Sequence, residues 1–388
     1  MIRKRRISLC REGQYYLLVL LAVLLGATAR QLNLLMLLGA MLAGPLLFSL
    51  IYGRLALARL AVLRLLPGQL RADQPLAVDV SLTNGWRWLG LWSLEVEDRV
   101  VRQRGGDAIG TPTDVTVYYP RVAGRQTKHA SYRGSLPERG QYVFGPLRVS
   151  TRFPLGLIRH TLTIDHPETL LVHPRIGRLT REWGQLVREH ATGAQRLRRG
   201  LLEADFYGLR DWRAGDSRRW IHWRTSARRG SLVVRQFEQR RSQDLALLVD
   251  LWQSADASPR EKEHVEQAIS FVATLIAEAC RQPGRQVILH VAAATALDRA
   301  GAATPNFLIE QMNALALIEP HGEDEFPDSL GEALAKVAPS LPTLLVSTRE
   351  IDWDGLEQVA ERRNASLGGR KLRSINVASR ELSRFFHA

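Results

Sequence analysis

The chain has 388 residues, enough for two or more domains that each bury a core, and its 53 basic against 39 acidic side chains leave a formal net charge of +14. The excess is almost all arginine, which fits an anionic neighbour, either nucleic acid or the cytoplasmic membrane surface, and fits equally an arginine-rich composition with no partner behind it. With 2 cysteines, Cys10 and Cys280, there is no disulfide framework and no zinc-ligand spacing, which excludes a stapled secreted scaffold and fits a reducing cytosol.

Arg3-Lys4-Arg5-Arg6 precedes an apolar run over 15–29; Arg30-Gln31 interrupts it, and a second apolar run follows over 32–52. At ~1.5 Å per residue the second run crosses a hydrocarbon core of ~30 Å, while the first needs local thinning or snorkelling flanks. Pro45 is tolerated in a membrane helix. A secretory signal, with Ala27-Thr28-Ala29 as its cleavage site, is the competing reading. Against it, another apolar span follows at once, and Arg54, Arg59 and Arg64 follow that span. Positive residues therefore flank both outer ends, which puts both in the cytoplasm. Residues 1–66 read as an uncleaved two-helix anchor in the inner (plasma) membrane, its tip near Arg30 facing outward.

Residues 67–178 read as an antiparallel β-sandwich, with strands at 76–83, 91–96, 114–119, 141–144 and 147–150 separated by turn residues. His160, His166 and His173 have no metal-binding interval. Residues 179–243 hold a basic connector with Arg196, Arg198 and Arg199, then a segment unlike an ordinary helix or loop, then a strand at 232–238. From 244 to 388, strands at 245–250, 286–291 and 342–347 alternate with helices at 263–281, 307–317, 330–337 and 354–363. That is an α/β sheet covered by helices. No glycine-rich phosphate loop follows a strand, so a nucleotide-binding Rossmann domain has no support. The fold class is α+β multi-domain.

The unusual segment, 206–230, mixes aromatic residues, arginines and turn glycines. Asp216 can pair with Arg218 or Arg219, and Arg224 and Arg228 are at helical spacing. Trp220 and Trp223 can bury their faces under stacked arginines. Such a network either fixes one domain against another, the reading favoured from sequence, or forms a partner-binding surface. Acid–base chemistry through Asp216, His222 and Ser226 lacks an activated nucleophile, for no nucleophile-elbow glycines surround Ser226.

The run from Tyr207-Gly208-Leu209-Arg210-Asp211-Trp212 to Ala227-Arg228, continued by Val233-Val234-Arg235-Gln236-Phe237-Glu238, resembles the signature of the domain of unknown function fifty-eight family. Arg139-Gly140-Gln141-Tyr142 and Phe153-Pro154-Leu155-Gly156-Leu157 are similar to that family's sandwich segments. The resemblance implies a membrane hairpin, a sandwich, the signature, and a von Willebrand factor A-like domain over 244–388. The signature residues expected to make interdomain or partner contacts are Tyr207, Arg210, Asp211, Gly215, Asp216, Arg218, Arg219, His222, Trp223, Arg224, Ser226, Arg228 and Arg235. Implied partners in a bacterial cell are a MoxR-type AAA+ ATPase, a transglutaminase-like membrane protein and membrane lipids. The implied role is a non-enzymatic scaffold or adaptor in envelope protein maturation or chaperone-like assembly.

Von Willebrand A-type domains often hold Mg²⁺ through an Asp-x-Ser-x-Ser loop, whose short oxygen ligands converge on a hard cation. Here the loop reads Asp250-Leu251-Trp252-Gln253-Ser254. Asp250 and Ser254 match, Trp252 replaces the middle serine, and no aspartate lies in 344–349. A vestigial loop is favoured over a Mg²⁺ site, and no other cofactor is expected. A metal-dependent protein-binding module through this loop and an envelope-precursor hydrolase at Asp216, His222 and Ser226 are the alternatives. No nucleic-acid-binding pattern is present.

Overall fold

Residues 2–185, 205–213, 216–238, 244–282, 284–322, 328–339, 341–363, 365, 367–379 and 381–387 are described by a computed structural model. The connector arginines Arg196, Arg198 and Arg199, and Gly215 of the signature, lie outside the described residues. The chain divides into two units, Met1–Arg175 with Leu315–Leu317, and Ile176–Ala314 with Ile318–Ala388.

In the first unit, α1 (Arg11–Arg30) and α2 (Asn33–Ala56) are both long and apolar enough to cross a membrane. Gln31, in the left-handed region with φ 49°, ends α1 and turns the chain back. The helices meet closely: a Cβ on Gly39 would stand 2.6 Å from a Leu24 methyl, and the Tyr16 hydroxyl donates to the Leu42 carbonyl at 2.8 Å. The basic stretch ahead of α1 is not a loose flank. It is β1 (Ile2–Leu9), paired antiparallel with β10 (Ile158–Asp165) from Ile2↔Asp165 to Leu9↔Ile158. The sequence hides this strand because Arg3 to Arg6 offer no apolar alternation.

The sandwich pairs an eight-stranded sheet with a three-stranded one. The small sheet runs β2 (Leu60–Leu65), β4 (Pro75–Asn84), β7 (Thr127–Ser135). The large sheet is centred on β5 (Leu91–Arg104), whose partners are β6 (Asp107–Val122), β8 (Gly140–Phe144) and β9 (Leu147–Thr151). Both sheets alternate inward and outward residues, so Val78, Val80 and Leu82 pack in one core with Leu94, Val96, Phe144 and Val149.

Arg64 does not flank the membrane. Period-2 alternation puts it on the inner face of β2 beside Val62, fully buried. Its guanidinium donates to Asp98 Oδ1 at 2.7 Å and to the Phe144 carbonyl at 3.0 Å, and the Tyr132 hydroxyl donates to Asp98 Oδ2 at 2.8 Å. Burial pushes the Asp98 carboxyl up against the pull of Arg64. The pair therefore tolerates loss of both members better than loss of one.

In the second unit the main sheet runs β17 (Leu297–Ala302), β16 (Gln286–Ala292), β15 (Leu245–Asp250), β18 (Thr343–Ser347), β19 (Leu372–Asn376). Its pairings are parallel except for the antiparallel edge β16–β17. The strands expected at 245–250, 286–291 and 342–347 are its centre. The two edges were missed, since Leu-Asp-Arg-Ala-Gly-Ala and Leu-Arg-Ser-Ile-Asn carry too few apolar residues to read as strands. Helix α4 (Pro259–Cys280) starts in a capping box between Ser258 and Glu261 and buries Val265, Ile269, Val272 and Ile276, the residues whose spacing announced it. Cys10 and Cys280 are both free.

Arg64→Met alone should lower stability by about 3–5 kcal/mol by stranding Asp98, whereas Arg64→Met with Asp98→Leu recovers part of that loss. Chemical unfolding followed by circular dichroism on the detergent-solubilised chain measures both; equal losses in the single and double variants would refute the buried pair.

Candidate functional site

The signature segment is the connection between two antiparallel strands, β13 (Asp205–Asp211) and β14 (Val233–Glu238). Tyr207 lies where the register shifts between Phe206 and Gly208, and its side chain is outside the described residues. After Asp211 the chain turns outward, makes a short 3-10 turn (Arg218–Trp220) and the helix α3 (Trp223–Arg229), and returns through Gly230 in the left-handed region at φ 68°.

Asp216 closes the outward turn. Both its oxygens accept from Arg210, Oδ1 from Nη2 and Oδ2 from Nη1, each at 2.7 Å, and Oδ2 also accepts from the Arg213 amide at 2.8 Å. The expected partners, Arg218 and Arg219, are instead exposed. A bidentate guanidinium fork with an added backbone donor outcompetes a neighbour that would have to fold back on itself. The Arg210 bonds first, then the Arg213 amide, hold the Asp216 carboxyl down at about 2.

His222 and Ser226 have structural tasks. His222 Nδ1 accepts the Thr225 amide at 3.3 Å and caps α3. The Ser226 hydroxyl accepts the buried Val233 amide at 2.9 Å and donates to the His222 carbonyl at 3.1 Å, which ties α3 to β14. None of these bonds joins the side chains of Asp216, His222 and Ser226 to one another, so the described residues do not show the side-chain relay expected of a hydrolase.

The tryptophans also depart from expectation. Trp212, Trp220 and Trp223 are 37%, 39% and 66% exposed, and Asp211, Arg218, Arg219, Arg224, Arg228 and Arg235 are exposed beside them. Trp223 largely faces solvent, while Trp212 and Trp220 are each partly exposed. That shifts the balance between the two readings of the segment toward a surface for something else to bind.

A second cluster sits at the carboxyl end of β15, where the strand order reverses and open α/β sheets place their ligands. Asp250 is fully buried, with Oδ1 2.8 Å from His321 Nε2 and Oδ2 accepting from Ser347 Oγ and Arg349 Nε, both at 3.0 Å. Thr348 fastens the neighbouring loop, donating to the Trp252 carbonyl at 2.7 Å and accepting the Trp252 amide at 2.9 Å. The Arg349 guanidinium lies 5.8 Å from the Trp252 ring centre. Ser254, the other expected ligand, donates to Glu261 at 2.9 Å.

These contacts do not fit a Mg²⁺ site. The carboxylate that would face the cation already faces a guanidinium, and Ser254 is committed to the cap of α4. The middle position of the loop supplies an indole in place of an oxygen ligand, and Mg²⁺ needs near-octahedral oxygens. His321, Ser347 and Arg349 were not anticipated as partners of Asp250, because they come from two other loops and no spacing links them.

Two outcomes follow. The Asp216 bonds favour the folded turn at every pH above the ordinary aspartate range near ~4, and that contribution drains away as pH falls through about 2. Carbon NMR titration of the Asp216 carboxyl reads this directly, and a midpoint near the ordinary value would mean the fork is not formed. Asp250→Ala should lower stability by about 3–5 kcal/mol, since it removes the buried carboxylate shared by His321, Ser347 and Arg349. Calorimetry of the parent chain with Mg²⁺ should stay flat; saturable heat abolished by Asp250→Ala would restore the metal.

A family model described as "Protein of unknown function DUF58" matches residues 208–336. An uncharacterized protein of Bacillus subtilis (strain 168), YeaD, is 30% identical over 146 residues, or 38% of this chain and 35% of that protein. The matched part thus spans about a third of that relative's length. Among solved structures, the CARDB domain of the PF1109 protein from Pyrococcus furiosus is 14% identical, covering 29% of this chain and 86% of that chain, with a TM-score of 0.19. The sporulation control protein Spo0M from Bacillus subtilis is 8% identical, covering 40% of this chain and 58% of that chain, with a TM-score of 0.20. Likeness at that level carries no argument about this chain. The Arg210–Asp216 fork, the α3 clamp and the Asp250 strand all lie in the stretch that the DUF58 family model matches.

Proposed function

We propose that the protein is a membrane-anchored, non-enzymatic adaptor that engages a MoxR-type AAA+ ATPase through the exposed arginines and tryptophans of its signature hairpin. The observation that carries this is the solvent-facing set Trp212, Trp220, Trp223, Arg218, Arg219, Arg224 and Arg228 on one short, internally braced connection. Tryptophan and arginine are the residue types that dominate protein interfaces, and loops braced from within bind without a large ordering cost. The choice of ATPase, and of a transglutaminase-like membrane protein as a further component in envelope protein maturation, rests on the family resemblance.

In this reading α1 and α2 form a two-pass anchor in the plasma membrane with both ends cytoplasmic. Support comes from the first unit itself: α1 leaves β1, α2 leads into β2, and both strands belong to the sandwich. Signal cleavage after Ala29 would remove a strand from the large sheet, which weighs for the uncleaved anchor. The strand order β17-β16-β15-β18-β19 with an antiparallel edge supports reading 244–388 as a von Willebrand factor A-like domain. Its metal loop is replaced by the Asp250–Arg349 pair. The separate duties of Asp216, His222 and Ser226 favour binding over hydrolysis.

The test is recovery of the ATPase with the detergent-solubilised chain under native expression, with nucleotide trapped. Trp223→Ala and the Arg218→Glu/Arg219→Glu pair should each reduce recovery by about tenfold or more, the scale of an interface hot spot. No recovery with the intact hairpin, or equal recovery with all variants, rejects the proposal.

A further inference from the structure

The feet of α1 and α2 stand on two loops of the sandwich, 85–90 with the start of β5, and 152–157. The Cys10 amide donates to the Leu157 carbonyl at 3.0 Å, and a Cβ on Gly13 would lie 2.0 Å from that same oxygen, so the first turn of α1 rests directly on the second loop. At the other foot the Tyr52 hydroxyl donates to the Gly90 carbonyl at 2.9 Å, and Trp86 Nε1 donates to the Leu55 carbonyl at 2.8 Å. Phe153 joins the two loops, its ring centre 5.0 Å from that of Tyr52 and 6.0 Å from that of Trp92.

What these loops leave in solvent is rich in aromatic residues and arginine. Trp88 is 87% exposed and Leu155 is 55% exposed. Arg87 lies 5.0 Å over Trp88 and Arg121 4.6 Å over Trp92. At the start of α1 a cleft of ≈ 320 Å³ is lined by Arg11, Arg152 and Arg159, with Glu12 as its one acidic residue. Exposed indoles with arginine planes above them, encircling the ends of two apolar helices, make the composition of a bilayer interface, where amphipathic rings sit at headgroup depth and cations meet lipid phosphates.

We infer that this end of the sandwich lies on the membrane, with Trp88 and Leu155 in the headgroup layer and Arg87, Arg121, Arg152 and Arg159 contacting the phosphates of anionic lipids. The inference rests on α1 and α2 being the membrane anchor, because they set the depth at which the two loops are held. The sandwich is then seated on the bilayer and does not swing from it.

The experiment uses the full chain in nanodiscs, with Cys10→Ser and Cys280→Ser and one environment-sensitive fluorophore on an introduced cysteine. The sites are Trp88→Cys, Leu155→Cys, Leu25→Cys within α1, and Ile109→Cys at the far end of the β5–β6 pair. Nitroxide-bearing lipids should quench the fluorophores at 88 and 155 severalfold more than the one at 109, and more in discs containing phosphatidylglycerol than in phosphatidylcholine alone. Quenching at 88 and 155 no greater than at 109, with 25 strongly quenched, overturns the inference and leaves the face to a protein partner. Loss of quenching at 25 overturns the anchor and the inference with it. Equal quenching in the two lipid mixtures removes the arginines from it and refutes the anionic-lipid contact.

Discussion

A carboxylate fixed within a fold does best beside a cation, and at three places among the described residues an arginine fills that role. Arg64 meets Asp98 inside the sandwich, Arg349 meets Asp250 at the end of the central strand of the α/β sheet, and Arg210 meets Asp216 at the base of the signature loop. In each case a planar, permanently charged fork reaches an oxygen that a lysine would satisfy from a single point. The surrounding backbone is arranged to help, through the Phe144 carbonyl taking a spare Arg64 hydrogen and the Arg213 amide adding to the bonds on Asp216. Without that matching, neither core would tolerate its carboxylate.

The same residue type then does two kinds of work. Arginines drawn inside specify how strands and loops meet; those left outside give the molecule its surface. On the signature hairpin the internal fork holds the turn while Arg218, Arg219, Arg224 and Arg228 remain in solvent beside the tryptophans. A flexible loop with that composition would lose much of its binding energy on ordering, and one tied by Asp216 and Ser226 loses less. At the end of β15 the arrangement is reversed. There the arginine is spent internally, and a position that open α/β sheets commonly leave for a ligand is filled by the protein itself.

How much of this could be read from the amino acids depended on how local the cause was. The strands at 245–250, 286–291 and 342–347 were visible because a strand covered on both faces must be an aliphatic run. Helix α4 was visible because its buried residues recur at helical spacing. The edges β1, β17 and β19 were invisible for the complementary reason: an edge strand needs charge more than burial, and charge has no period. Arg64 was mistaken for a membrane flank, although the alternation Leu60, Val62, Arg64 places it inward. The partners of Asp250 and Asp216 were beyond reach, since which of many arginines closes a loop is decided by tertiary geometry. The 207–238 run pointed to the family whose model matches residues 208–336, and the bonds within that run came from the fold.

The position of β1 bears on how the molecule is put together. Its partner β10 is synthesised after both α1 and α2, so β1 has no strand to pair with until residues 158–165 have been made. While it waits, its run of arginines and lysine keeps an unpaired edge from joining other chains. Deleting or obstructing residues 2–9 would therefore take an edge strand out of a β-sheet.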